Sequence, residues 1–396
     1  MKIGRTIYFD HQATTPLDPQ VFEAMRPYLA DGFGNPHASE HIIGWQTAQA
    51  VERAASDVAS MIGSDPDEII FTSGATEANN LALTGLSKRA VSGCRKRILL
   101  GATEHKCILE IGRMLTDEAG YTVSHIPVDS SGRIDLAALE DILSEDVLLL
   151  SVMAVNNEIG TVQDIPAIAR LAARHGCLLH CDAAQAPGAL DLSFFAQHAD
   201  MISLSAHKMY GPMGIGALFI RRDLQRDVAP IIHGGGQQNG LRSGTLPTAL
   251  CIGFGAAARL AEDDQGGVGR TSLARRRDAF LTKLYTLPVP LILNGPEDFS
   301  RRHPGNVNVG FKGIVAQDLL SRLQPRLAAS TGSACTSGIT EPSHVLRVIG
   351  RSEKEAASSI RFSLGRHTND DDVEEAFSVL NETLNDMKEN GFLEAV

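Results

Sequence analysis

An α/β fold, with a mainly parallel sheet followed by a smaller α/β unit, is what this sequence predicts, and three observations carry the prediction. From about residue 45 onward, helical and strand patterns alternate. The run 147–153, VLLLSVM, is apolar nearly throughout, as a strand covered on both faces would be. Around 261–267 the alternation breaks into polar, Gly-rich sequence, which marks a domain boundary.

The elements follow in order. Between Gly44 and Gly63, the positions Val51, Ala54, Ala55, Val58, Met61 and Ile62 recur at helical spacing and predict an amphipathic helix. Residues 68–72 form a short β-rich run, and 73–77 open the next helix. Strands are expected at 97–101, 122–128, 147–154, 177–182, 201–204 and 215–220, with helices at 106–119, 136–143 and 165–175. Beyond the boundary, strands are expected at 307–311 and 359–363, and no internal repeat is visible. Alternating strands and helices imply right-handed crossovers and a sheet that binds ligands at the carboxyl ends of its strands.

Composition excludes several classes. The chain has 396 residues, 43% hydrophobic and 21% charged, enough for a sizeable core and unlike a disordered chain. Lys and Arg number 36 against 47 Asp and Glu, a net charge of −11, which argues against gripping nucleic acid through a basic surface. No run of about 18 apolar residues predicts a membrane span. Asp10 interrupts the place where a signal peptide needs an apolar stretch, so a cytoplasmic protein is expected. Six cysteines in this length are no disulfide scaffold, and each must be read singly.

Four segments carry chemistry. Lys208 lies in SLSAHKMYGP (203–212), between a strand and a Gly-Pro turn, at a sheet's carboxyl edge. A loop lysine is ordinarily just solvated. Here Ser205 and His207 alternate before it, able to hold an anion beside an amine that can condense with an aldehyde. Asp182 ends another strand, and a buried carboxylate there needs a cationic partner. A lysine for an aldehyde and an acid for a protonated ring nitrogen are the pair that pyridoxal phosphate (PLP) enzymes need. TSGATE (72–77) runs from strand into helix and offers free N–H groups for a phosphate, although Ser/Thr capping before an acid is also common helix grammar. Cys335, in the aperiodic run ASTGSACTSG (329–338), reads as an exposed loop thiol and a candidate nucleophile. Cys177 and Cys181 with His175 and His180 have the makings of a zinc site. The segment reads better as a strand, with His180 and Cys181 on opposite faces. Cys94, Cys107 and Cys251 read as packing residues.

In this order, the four elements resemble the group I (NifS/IscS-like) cysteine desulfurases, in the class V branch of the PLP-dependent fold-type I aminotransferases. The resemblance runs from YFDHQATTP (8–16) to IRFSLGR (360–366). Between them it includes Gly34-Asn35-Pro36, Glu104-His105-Lys106, VNNEIG (155–160), GGGQ (234–237) and RSGTLP (242–247). The GSACTSG loop is similar to the long loop of group I, which serves iron–sulfur assembly and thiolation. The short Arg-x-Gly-His-His-Cys loop of group II is absent. The chain departs from the family pattern at His11-Gln12, across 37–41, and from Met387 onward.

The resemblance implies a seven-stranded sheet in a large PLP-binding domain, 16–262, and a small domain formed by 1–15 and 263–396 that carries the mobile Cys335 loop. Lys208 would hold PLP, Asp182 would pair with its ring nitrogen, Gln185 would bond its phenolic oxygen, and His105 would stack on the ring and assist protonation. Ala75, Thr76, Ser205 and His207 would cradle the phosphate, with Thr245 reaching over from the second subunit of a homodimer. Asn156, which also lines the cofactor, and Arg361 would take the substrate carboxylate. L-cysteine would become L-alanine: Lys208, once freed, acts as base on Cα, a Cys335 thiolate takes the sulfur as a persulfide, and the loop carries it to a protein acceptor. No resident metal is implied, and Cys335 would ligate an iron–sulfur cluster only in transit. The acceptor pathway stays open among iron–sulfur assembly, tRNA thiolation and DNA phosphorothioation. A selenocysteine lyase, another class V aminotransferase, and a non-catalytic assembly subunit stand as alternatives.

Overall fold

The computed structural model describes residues 1–90, 93–263, 267–332 and 342–391. Its central sheet has seven strands, in the order Ile69–Thr72, Gly216–Ile220, Met201–Ser205, Leu178–Asp182, Val147–Ser151, Arg97–Gly101 and Thr122–Ile126. Six run the same way. Only Gly216–Ile220 is reversed, antiparallel to both of its neighbours. Side chains alternate along each strand, so Ile70, Ile98, Leu100, Leu149 and Leu218 pack one helix layer while Phe71, Leu99, Leu150, Leu179 and Phe219 pack the other. Cover on both faces explains the unbroken apolar run at 147–150.

Local chemistry sets the element ends. The helix Ile42–Ile62 starts where His41 Nδ1 accepts the Gly44 N–H at 3.1 Å, giving one of the residues that depart from the family pattern a structural use. It stops at Gly63, whose φ is 73°, and where a Cβ would lie 2.1 Å from the Ser193 carbonyl oxygen. Ala55 on this helix is only half-buried. The strand from Val147 ends at Ser151, earlier than expected. Val152 and Ala154 still donate to the His180 and Asp182 carbonyls, but the chain is already turning to present Asn156. Cys94, expected in packing, is exposed in the connection before the Arg97 strand, outside both apolar layers. Cys251 is buried, as read.

A second apolar cluster joins Ile7 and Phe9 to Phe280, Val307, Phe311, Ile360, Phe362 and Leu380. Its antiparallel sheet pairs Leu291–Leu293, Asn306–Phe311 and Ser359–Ser363. The first of these strands was not expected, because three half-buried residues are too few to show a period. The N-terminal segment lies along this sheet, with Ser363 N donating to Phe9 O at 2.7 Å, and then delivers 10–15 to the carboxyl edge of the large sheet. Among the described residues no helix is long and apolar enough to cross a membrane.

Under that edge His180 is fully buried, with Nδ1 2.9 Å from Ser151 Oγ and Nε2 3.0 Å from Ser203 Oγ on the flanking strands. Burial lowers its pKa from the ordinary 6.5 to about 4, that of His11 also to about 4, and that of His303 to about 3. A histidine neutral in the fold but titrating near 6.5 when unfolded stabilises the fold fully above that pH, and the contribution disappears as pH falls toward the folded value. The unfolding temperature is therefore expected to drop as pH falls from 6.5 to about 4, and H180Q to show a shallower drop whatever its own stability. A wild-type unfolding temperature flat over that range would contradict neutral burial of these rings.

Candidate active site

The carboxyl edge of the sheet and the N-terminal segment are joined residue by residue. Ser205 ends its strand, and the turn Ala206–Lys208 follows. Lys208 Nζ donates to the carbonyls of Gln12 at 2.8 Å and Ala13 at 2.7 Å. The Gln12 carbonyl also accepts Gln185 Nε2 at 2.8 Å. His207 O accepts from Thr15 N at 2.9 Å, His207 Nδ1 lies 3.1 Å from Thr14 Oγ1, and Tyr210 N donates to Thr15 Oγ1 at 2.7 Å. Burial, with the Lys208 charge second, lowers the His207 pKa to about 4. The partners Gln12 and Ala13 were not identified as such from sequence, because a backbone acceptor has no residue signature.

Asp182 is 6% exposed at the end of its strand. Its carboxylate accepts Asn79 Nδ2 at 2.8 Å and Ala184 N at 3.0 Å, both neutral donors, and among the described residues no ion pair holds it. Asn79, fully buried on the helix Ala75–Ala90, was missed in the sequence. His105 caps the helix Lys106–Ala119, its Nδ1 accepting Cys107 N at 3.2 Å. Burial is the largest influence on this ring and lowers its pKa; Asp182 opposes that, while Lys208 and His344 add to it. His105 thus feels the charges of both the acid and the lysine. Beside it Glu104 is buried, with Oε1 accepting Met153 N at 2.5 Å, and burial, then Asp182, raise its pKa well above the ordinary carboxylate range.

The expected cup lies on the same edge. The first turn of Ala75–Ala90 begins directly after Gly74, leaving its N–H groups without intrahelical acceptors. Gly216 pairs with both Thr72 and Ser205, and a Cβ there would lie 2.7 Å from the Gly74 backbone, so a glycine lets the reversed strand pass beneath. A Cβ on Gly74 itself would meet nothing within 4 Å, so the space above the cup is open. Ala75, Thr76, Ser205 and His207 are all at this end of the sheet. Thr245 is exposed, on a loop that the Arg242–Glu77 ion pair (2.8 Å) fastens beside the cup of its own chain.

Arg361, 3% exposed, donates through Nη1 to Asn157 O at 2.6 Å and through Nη2 to Asp10 Oδ1 at 2.6 Å and Ser330 Oγ at 2.9 Å, while its buried Nε has no partner among the described residues. Asn156 is occupied at both ends: Nδ2 donates to Thr103 O at 3.0 Å and approaches Met153 Sδ at 3.3 Å, and Oδ1 accepts the Glu158 and Ile159 amides at 2.8 and 2.9 Å. It braces the loop that carries Asn157. Cys335 lies outside the described residues. The chain on either side of it meets one residue: a Cβ on Gly332 would lie 3.3 Å from Glu158 Cγ, and Ser343 Oγ donates to Glu158 Oε2 at 2.5 Å.

These residues fit PLP: an open helix N-terminus suits its phosphate, a buried carboxylate with only neutral donors suits a cationic ring nitrogen, and a primary amine at the strand edge suits its aldehyde. The comparisons agree. The family described as aminotransferase class-V matches residues 7–376. Cysteine desulfurase IscS of Rickettsia felis is 43% identical over 97% of this chain and 92% of its own length. The chain belongs to the cysteine desulfurases of the class V aminotransferase family. Among solved structures, a NifS-like protein superposes with a TM-score of 0.88 at 32% identity, covering 96% of this chain and 99% of its own. SspA, solved in complex with cysteine, superposes with 0.78 at 34% identity, covering 91% and 99%. Enzymes of this family work with PLP.

Asp10 is the acid that holds the buried Arg361 of this desulfurase. Removing one member of a buried, hydrogen-bonded pair leaves the other uncompensated, and with Asn157 O still bonded, D10N is expected to lower the unfolding free energy by about 1–3 kcal/mol. Denaturant titration checks this. An unchanged value would mean that the Asp10 contact carries no net stability.

Proposed function

We propose that this cysteine desulfurase holds PLP with its phosphate at Ala75, Thr76, Ser205 and His207, its ring nitrogen on Asp182, its phenolic oxygen beside Gln185, its ring face against His105 and its aldehyde on Lys208. Thr245 completes the cup of the partner subunit in a homodimer. Exposed apolar side chains such as Phe33, Ile42, Trp45 and Met213, between 56% and 70% accessible, support a partner that covers them. Residues 16–262 form the large domain, and 1–15 with 263–396 the small one.

Bound PLP supplies an electrophilic carbon for the substrate amine and a sink for the electrons of the Cα–H bond. Arg361 binds the carboxylate of L-cysteine, its unpartnered Nε–H offering a donor, with Asn156 beside it. Lys208 Nζ takes the Cα proton, and His105 moves a second proton. The Cys335 thiolate attacks the substrate sulfur. As the new S–S bond forms, the Cβ–S bond breaks, so the carbon is reduced to the methyl group of L-alanine and the sulfur is held as Cys335–S–SH. That outer sulfur passes to a protein acceptor in the cytoplasm, and the acceptor rather than this acidic chain faces any nucleic acid.

The observation that carries this reading is the shared anchor at Glu158. Gly332 and Ser343, described residues on either side of the segment that holds Cys335, both lie against Glu158, adjacent to Asn157, whose carbonyl holds Arg361. An aminotransferase has no need of a thiol in that segment. With L-cysteine and a reductant, the wild type is expected to release alanine and sulfide. C335A should keep the coenzyme colour and lose persulfide, and K208A should lose turnover by roughly 10²-fold or more. Full persulfide formation by C335A would remove the nucleophile from this scheme. Undiminished turnover of L-selenocysteine by the same variant would favour a selenocysteine lyase.

A further inference from the structure

Cys107 packs against the apolar cluster of Ile98, Leu100 and Ile108, and its sulfur also meets polar groups. It is half-buried near the start of Lys106–Ala119, with Sγ 3.0 Å from His105 Nδ1 and 3.3 Å from Asn79 Nδ2. The same Asn79 nitrogen donates to Asp182 Oδ2 at 2.8 Å. One sulfur therefore stands between the histidine and the amide that holds the acid.

The direction of each bond follows from the donors. His105 Nδ1 accepts the backbone N–H of Cys107 at 3.2 Å, so its lone pair faces the helix and the ring proton is on Nε2. With Nδ1 an acceptor, the bond from Cys107 must be S–H to nitrogen. Asn79 has only N–H to offer at Nδ2, so the sulfur accepts from it. A thiolate would reverse the first bond and demand a proton on Nδ1. Burial, with the Asp182 charge second, pushes the Cys107 pKa up to about 12, which keeps the thiol a donor.

We propose that Cys107 is a positioning residue for the desulfurase reaction: its S–H on Nδ1 and its sulfur under Asn79 hold His105 as the neutral Nε2–H ring and couple it to the Asp182 carboxylate. This role rests on His105 and Asp182 serving the coenzyme ring. The other groups facing His105 are Asp182 from the central strand, Lys208 from the turn after Ser205, His344 from the helix His344–Val348 and Glu104 on its own loop. Asp182 raises the basicity of the ring, and Lys208 and His344 lower it. Cys107 differs from all of them in addressing Nδ1 directly, through its amide and its thiol. Losing the thiol leaves Nδ1 with the amide alone, easier to protonate.

Histidine ¹⁵N NMR of the PLP-loaded enzyme tests this, with the His105 signals identified by their loss in H105Q. The wild type should show the Nε2–H tautomer between about pH 6 and pH 9. C107S keeps a donor and should keep both the tautomer and the acid limb of the kcat profile. C107A and C107V, which differ in volume but both lack a donor, keep the residue 107 amide on Nδ1 and with it the Nε2–H tautomer, but should protonate Nδ1 more readily and move the acid limb up by about half a pH unit. In both, kcat should fall roughly three- to tenfold with less change in KM. An unaltered His105 titration and pH profile in both C107A and C107V would overturn the role of Cys107 alone. H105Q turning over cysteine at the wild-type rate would overturn the role of His105, and this one with it.

Discussion

A carboxylate buried among neutral donors is the constraint around which this molecule is arranged. Taking an ion out of water costs several kcal/mol unless an opposite charge compensates, and the amides of Asn79 and Ala184 offset only part of that for Asp182. The strand that carries Asp182 lies in the middle of the sheet, so water cannot do the rest. A cationic ring nitrogen can. The other elements follow from placing such a ring: co-directional strands bring Thr72 and Ser205 to the same edge, and the helix after Gly74 presents its N-terminus there.

The N-terminal turn at 10–14 is what joins the two apolar cores into one site. Its carbonyls hold Lys208 beside the large sheet, and the carboxylate of Asp10 holds Arg361 on the small one. Two cations that the proposed reaction brings to one amino acid are thereby tied to neighbouring residues. Their separation is set by backbone geometry rather than by flexible side chains, which is how a site is pre-organised at modest entropic cost. Substitutions in this turn should matter to catalysis even though none of its side chains is a conventional acid, base or nucleophile of the reaction.

Much of the frame was legible because burial leaves a period. The run from Val147 reads as a doubly covered strand, and Lys208 and Asp182 announce themselves as polar residues where apolar strands stop. The reversal of Gly216–Ile220 was not legible, since an apolar pattern carries no direction. The need for Gly216 appears only once the Gly74 backbone is seen crossing it. Asn79, Gln12 and Asp10 escaped for a related reason: each acts through a partner more than a hundred positions away, and nothing in its local sequence marks that partner. Cys107 does pack against the apolar layer, as read; the contact of its sulfur with an imidazole was not legible, because a half-buried thiol on a helix has the same sequence signature with or without it.

The most direct test is the protonation state of the coenzyme's ring nitrogen, read by ¹⁵N NMR of the enzyme loaded with ring-labelled PLP. A pyridinium signal is expected to persist well above neutral pH in the wild type and to give way to a neutral pyridine signal in D182N. A neutral ring nitrogen in the wild type at pH 7, or one indifferent to D182N, would contradict the pairing on which the site is built.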